Sequence, residues 1–211
     1  MTHAPLRRLA GDRRGNTVIE FAIVAPVMIA LIMGLLDLGF QIYAQSVLDG
    51  AVQKAARDSA LQGGAQSTGT IDARVLSMLT PLIGSPQPSC AVTLPSTRVP
   101  ATWCVTRKNY DNFAAIKPEP FSDTNGNGLR DPGECFQDVN GNFAWDADPG
   151  SAGQGGANDV TLYTFSVTYP RLFPIAAMIG WPSMLRMTST TILKNQPYAS
   201  QATTEPKTIC T

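Results

Sequence analysis

RRGNTVIEFAIVAPVMIALIMGLLDLG, residues 13–39, decides how the rest of the chain is read. Residues 21–36 are sixteen uncharged, mostly aliphatic side chains, closed by Asp37. As a helix that run spans ~24 Å, and starting at Asn16 extends it to ~31 Å, about the hydrocarbon thickness of a bilayer. Arg7, Arg8, Arg13 and Arg14 precede it and the first cation after it is Lys54. The positive-inside rule therefore places the leader in the cytoplasm and the remainder across the membrane. A secretory cleavage site should follow the apolar stretch as small residues. That place reads LLDLGFQIYAQS, with only Ala44 and Ser46 as a small-x-small pair beyond a charge, so the stretch is expected to stay in the product.

Within this segment Gly15 stands directly before Asn16, Thr17, Val18, Ile19 and Glu20. The arrangement resembles the class III signal of type IV prepilins. The resemblance implies cleavage after Gly15 by a membrane prepilin peptidase, Asn16 as the new terminus, Glu20 as the family's glutamate and Pro26 as its mid-helix proline. A carboxylate inside an apolar helix costs roughly 2.5 to 3.5 kcal/mol on insertion scales and persists chiefly with a partner. Cleavage creates one, since the freed amine of Asn16 is a cation that Glu20 of an adjoining subunit can answer. The alternative is that Glu20 marks the boundary and snorkels to the headgroups.

Beyond Asp37 the apolar pattern becomes one-sided. Phe40, Ala44, Val47, Leu48, Ala51 and Ala55 share a face, and Gln45, Ser46, Asp49, Gln53 and Arg57 lie opposite. One helix is expected from Asn16 to about Leu61, stopped by Gly63 and Gly64, with its stripe packed on the protein's own sheet. Three regions follow: a leader at 1–15, a membrane-spanning and amphipathic helix at 16–62, and an exported domain at 63–211 with an Asp/Asn-rich insertion at 119–159.

The 211 residues carry sixteen Lys+Arg against sixteen Asp+Glu. Zero net charge argues against a nucleic-acid partner. His3 is the only histidine, which removes the usual side chain of histidine catalysis. No GxSxG or HExxH occurs, and neither an enzymatic role nor a small-molecule substrate is expected. Cys90, Cys104, Cys135 and Cys210 form no CxxC pair, and an even count suits disulfides in an oxidising compartment. Three pairings are possible; the shortest span joins Cys90 to Cys104 and leaves Cys135 with Cys210.

The fold class expected is α+β, a long helix on a small antiparallel sheet, pilin-like, with the acidic insertion. A short helix is read over 71–79, before Pro81, Pro86 and Pro88. Residues 90–94 and 102–105 read as an edge hairpin. In residues 160–169, Tyr163, Phe165, Val167 and Tyr169 alternate with Leu162, Thr164, Ser166 and Thr168, the period of a strand, and 185–193 should pair with it. Between them PRLFPIAAMIGWP, residues 170–182, either folds over the core or touches membrane or a neighbouring subunit.

The acidic stretch holds the second specific signal. DTNGNGLRDPGE, residues 123–134, follows the twelve-residue EF-hand loop: Asp123, Asn125 and Asn127, Gly128 at the turn, the carbonyl of Leu129, Asp131 ninth and Glu134 twelfth. Position eight is Arg130 rather than aliphatic, and no amphipathic helix clearly flanks the loop. A second copy, DVNGNFAWDADP, places Asp138, Asn140, Asn142 and Asp146 in register, with Asp148 eleventh, Phe143 in the glycine's place and Pro149 in that of the bidentate acid. Ca2+, which takes six to eight oxygens, is the expected ion, held better by the first loop. The bland alternative is a pair of Asx-rich surface turns.

Together, the opening RRGNTVIEFAIVAPVMIALIMGLLDLG and the late YTFSVTYPRLFP strand resemble the TadE-like family of minor pilins, or pseudopilins, of the tight adherence (Tad, or Flp) type IV pilus system. The resemblance implies a single-pass protein of the bacterial inner membrane, N-terminus cytoplasmic and C-terminal domain periplasmic. It implies incorporation into an extracellular pilus or support of its initiation, assembly and adhesion. Prepilin peptidase, other pilins and pilus assembly proteins are the implied partners. The alternative is an uncleaved, membrane-anchored, calcium-dependent adhesin or receptor domain.

Overall fold

A computed structural model describes residues 16–61, 66–173, 180–197 and 205–210. Helix α1, Asn16–Ser59, is continuous over 44 residues and passes through Pro26, which removes a single backbone donor. Its two halves differ. The first is its most apolar stretch, yet it is almost wholly unburied. Val18, Phe21, Ile23, Val27 and Leu31 all face outward. From Ala44 onward the helix packs: Ala44, Leu48, Ala51, Val52, Ala55 and Ala56 are buried, as the apolar stripe requires. α1 ends at Ser59, two residues earlier than expected; Gly63 and Gly64 lie outside the described residues.

Helix α2, Thr68–Ile83, buries Ile71, Val75 and Leu79 against α1. It extends beyond the expected 71–79 and contains Pro81. A proline in the last turn forfeits one intrahelical bond, and the Gly84 amide, at a φ of 80°, closes that turn on the Thr80 carbonyl.

The main sheet combines β1 (Gln87–Pro88), β2 (Thr102–Tyr110), β5 (Val160–Pro170) and β6 (Met184–Lys194) in that order, with β4 (Ser151–Ala152) also paired to β2. β5 pairs antiparallel with β2 and with β6, from Val160↔Lys194 to Pro170↔Met184. Tyr163, Phe165, Val167 and Tyr169 form the face turned to the helices. Each such fully buried side chain contributes about 1.5–3 kcal/mol of transfer free energy.

Two expectations are corrected. The sheet is mixed, because β1 runs parallel to β2. Residues 90–94 form no strand: the Cys90–Cys104 disulfide holds this crossover to β2, and Arg186 supplies donors to the carbonyls of Ala91 and Val92 in place of a ladder. The second disulfide joins Cys135 to Cys210, within a separate two-stranded sheet of β3 (Cys135–Asp138) and β7 (Lys207–Cys210).

Charged pairs fasten the layers. Arg107, on β2, forks onto Asp72 of α2 at 2.5 and 3.0 Å. The Tyr163 hydroxyl donates to the same carboxylate at 2.7 Å, and the guanidinium lies 4.4 Å from the Tyr163 ring centre. Burial, then Asp72, pushes the Tyr163 hydroxyl far above the usual tyrosine range. Asp37 of α1 accepts from Arg171 at 2.6 Å.

Candidate functional site: an apolar helix half and two acidic loops

The first candidate surface is the outer half of α1. Asn16 is its first residue, and Glu20 lies exposed one turn further among Val18, Ile19 and Phe21, which are also exposed. Gly15, the expected cleavage residue, falls outside the described residues. A helix surface this apolar and this open needs lipid or other apolar helices to cover it.

The second candidate is built on a short antiparallel pairing. Phe121 bridges Phe136 of β3, with the Ser122 amide on the Cys135 carbonyl and the Gln137 amide on the Pro120 carbonyl, both at 2.8 Å. Residues 123–134 are therefore the connection of a hairpin. Counting two further residues out along this register sets Asp123 against Glu134 at one end and Glu119 against Asp138 at the other.

In the first loop Asp123 accepts from the amides of Gly126, Asn127 and Gly128. The side-chain amides of Asn125 and Asn127 both donate to Asp131 Oδ2, at 2.6 and 2.8 Å. Glu134 closes the ring, its Oε1 accepting from the Thr124 amide and its Oε2 from the Asp131 amide. The Asp131 amide, then that of Thr124, holds the Glu134 carboxyl below its ordinary range. Leu129 donates its amide to Asn127 Oδ1, which leaves its carbonyl uncommitted to that contact.

The second loop repeats this bond for bond. Asp138 accepts from Gly141, Asn142 and Phe143, and Asn140 and Asn142 donate to Asp146 Oδ2. Phe143 takes a φ of 65°, as Gly128 takes 76° in the first loop. Asp148 is engaged elsewhere: it pairs with Lys108 and accepts from the Tyr110 hydroxyl at 2.8 Å. The Lys108 hydrogen bond lowers the Asp148 carboxyl; burial, then Asp148, pushes the Tyr110 hydroxyl up to about 12.

The acid that closes the second loop is Glu119. Its Oε1 accepts from the Val139 amide and its Oε2 from the Asp146 amide, both at 2.9 Å, the second and ninth positions that Glu134 serves in the first loop. Glu119 is 1% exposed, and Trp145 donates its indole N–H to the Glu119 carbonyl. The motif reading missed this residue because it sought the acid downstream, at Pro149. The signal was the period: Glu119, Asp123, Asn125, Asn127 and Asp131 each recur fifteen residues later as Glu134, Asp138, Asn140, Asn142 and Asp146.

Among the described residues no group of three or more His, Cys, Asp or Glu side chains is arranged to hold a metal ion. The carboxylates brace the backbone of their loops, and the asparagine amides turn Nδ2 inward. A cation would need Oδ1 there instead, a half-rotation of each terminal amide.

Set beside known families, residues 15–57 match the family described as TadE-like protein. Helix α1 is thus similar to a TadE-like segment. No curated protein and no solved structure matches the chain. The TadE-like match takes in Gly15, Asn16, Glu20 and the apolar run, and stops two residues short of the end of α1. The acidic loops and the sheet lie outside it.

Proposed function

We propose that this protein is a minor pilin or pseudopilin of a Tad (Flp) pilus system, cleaved after Gly15 and acting in pilus initiation, assembly and adhesion. The observation that carries the reading is the TadE-like match at residues 15–57 on a helix whose apolar half is unburied. In this reading the cytoplasmic leader is removed by a prepilin peptidase, α1 holds the protein in the inner membrane, and the α+β domain faces the periplasm. Other pilins cover the apolar half when subunits assemble, and Glu20 pairs with the new amine of Asn16 on a neighbour. No reaction is catalysed in this role.

The proposal extends to the acidic loops, as two Ca2+ sites that rigidify the domain. What supports it is the repeated Asp, Asn, Asn, Asp frame, each copy with its own closing glutamate. The ligand set is Asp123, Asn125, Asn127, Leu129, Asp131 and Glu134 for the first loop. For the second it is Asp138, Asn140, Asn142 and Asp146 with Glu119, and without Asp148. Loops of this kind outside cells bind at ~10⁻⁴ to 10⁻³ M, a range suited to structure rather than signalling.

Cleavage is tested by amino-terminal sequencing of the protein from cells with and without the peptidase, alongside Gly15→Val. A start at Asn16 in the presence of the peptidase, lost without the peptidase and in Gly15→Val, is expected; retention of Met1 throughout would instead favour the uncleaved adhesin. Calcium is tested by terbium luminescence excited through Trp145, with no sensitised signal up to millimolar ion as the refuting result.

A further inference from the structure

The facing ends of β5 and β6 have a position that the fold dictates. The two strands close at Pro170↔Met184, and contacts at both ends fix their direction along α1. At one end Tyr169 meets Phe40 edge-on at 6.1 Å, and Arg171 Nη1 meets Asp37 at 2.6 Å. At the other, the Gln196 amide donates to the Ala60 carbonyl at 3.0 Å. Pro170, Met184 and Arg171 therefore lie at the end of the sheet nearest the apolar half of α1, and Asp37 directly follows the last of the sixteen uncharged residues.

Asp37 is only 8% exposed and fully occupied, by Arg171, by the Leu172 amide at 3.3 Å and by Gln41 at 2.9 Å. That clamp neutralises an acid at the boundary of the apolar run and pins the first residues of the connection there. Both described flanks then present apolar surface: Leu172 is 48% exposed and Trp181 60%, with the Arg171 guanidinium 5.9 Å from the Trp181 ring centre. Exposed tryptophan beside a neutralised arginine, at the level where an apolar helix ends, is the chemistry of the interfacial layer of a bilayer.

We propose that Leu172 and Trp181, on the two described flanks between β5 and β6, form a second membrane contact, seated in the headgroup layer of a phospholipid bilayer while α1 crosses it. The proposal rests on the reading of α1 as membrane-spanning, and its test separates the two. The full chain is reconstituted in phosphatidylethanolamine and phosphatidylglycerol vesicles, as wild type and as Trp181→Phe, so that the emission difference isolates Trp181 from Trp103 and Trp145.

With lipid brominated near the headgroup, that component is expected to be quenched strongly, as an aromatic side chain in the interfacial belt would be, and aqueous iodide to quench it weakly. Leu172→Asp, which keeps the backbone contact to Asp37, should reduce the lipid quenching. Quenching by iodide with none by brominated lipid overturns the proposal, as does protection from both, which would show a protein neighbour over the ring. Alkaline carbonate extraction reads the anchor independently. A chain that extracts refutes the spanning helix and this element with it, whereas an anchored chain whose Trp181 ignores the brominated lipid refutes this element alone.

Discussion

Glu119 and Glu134 make the same pair of backbone contacts, each accepting from the second and ninth residues of a twelve-residue loop. Glu134 does so for the loop that it ends, and Glu119 for a loop that begins at Asp138. The hairpin register of Phe121 on Phe136 makes both pairings at once. Glu119→Gln keeps one acceptor oxygen but turns an NH2 donor toward the other backbone N–H and leaves that group unsatisfied, so a loss of about 1–3 kcal/mol is expected. Thermal unfolding measures it, and an unchanged midpoint would show that Glu119 does not close the second loop.

Phe143 occupies the left-handed region that Gly128 occupies in the first loop, and its ring is exposed. A side chain there costs ~1–2 kcal/mol, offset by the ~0.5–1 kcal/mol of extra chain freedom that glycine loses. Phe143→Gly is therefore expected to raise stability by roughly 0.5–1 kcal/mol. A lower denaturant midpoint for the variant would contradict it.

The Asp72–Arg107 fork is buried on both sides, so removing one partner strands the other. Arg107→Met alone should destabilise by about 3–5 kcal/mol, and Asp72→Leu added to it should restore part of the loss. A double variant no more stable than the single one would remove the coupling on which this rests.

Glu134 and Asp148 both have folded-state pKa values below the ordinary carboxylate range. Their stabilisation is fully present above the unfolded values near ~4 and is lost as pH falls through the lower folded values. Tyr110 runs the other way: its contribution is fully present below the unfolded value of ~10 and is lost as pH climbs through the raised folded value of about 12. Stability should thus fall at both extremes, and in Glu134→Gln the acid limb should shrink while the alkaline limb is kept. Equal acid limbs in a urea titration series would argue against this assignment.

Much of this was legible because periodicity is local. The run at 21–36, the stripe from Phe40 to Ala55 and the alternation at 160–169 each report on a helix or strand through near neighbours in sequence. The family resemblance drawn from the opening agrees with the match at residues 15–57. Both disulfides join the cysteines that shortest-span pairing selects. What escaped depends on distant partners. Residues 90–94 look like a strand until Arg186 is seen to take their carbonyls. Pro81 looks like a stop until its place in a final turn is known. Glu119 looks like a lone acid until the hairpin folds it against the next loop, although the fifteen-residue recurrence already carried it.

The sheet is fastened to α1 at two levels, through Asp37 below and Ala60 above, a separation of ~35 Å along the axis. Two bolts that far apart leave no swivel between stalk and head. Shear applied at the acidic loops would consequently arrive at the greasy end of the rod as leverage, tilting the whole body together rather than bending it at a joint.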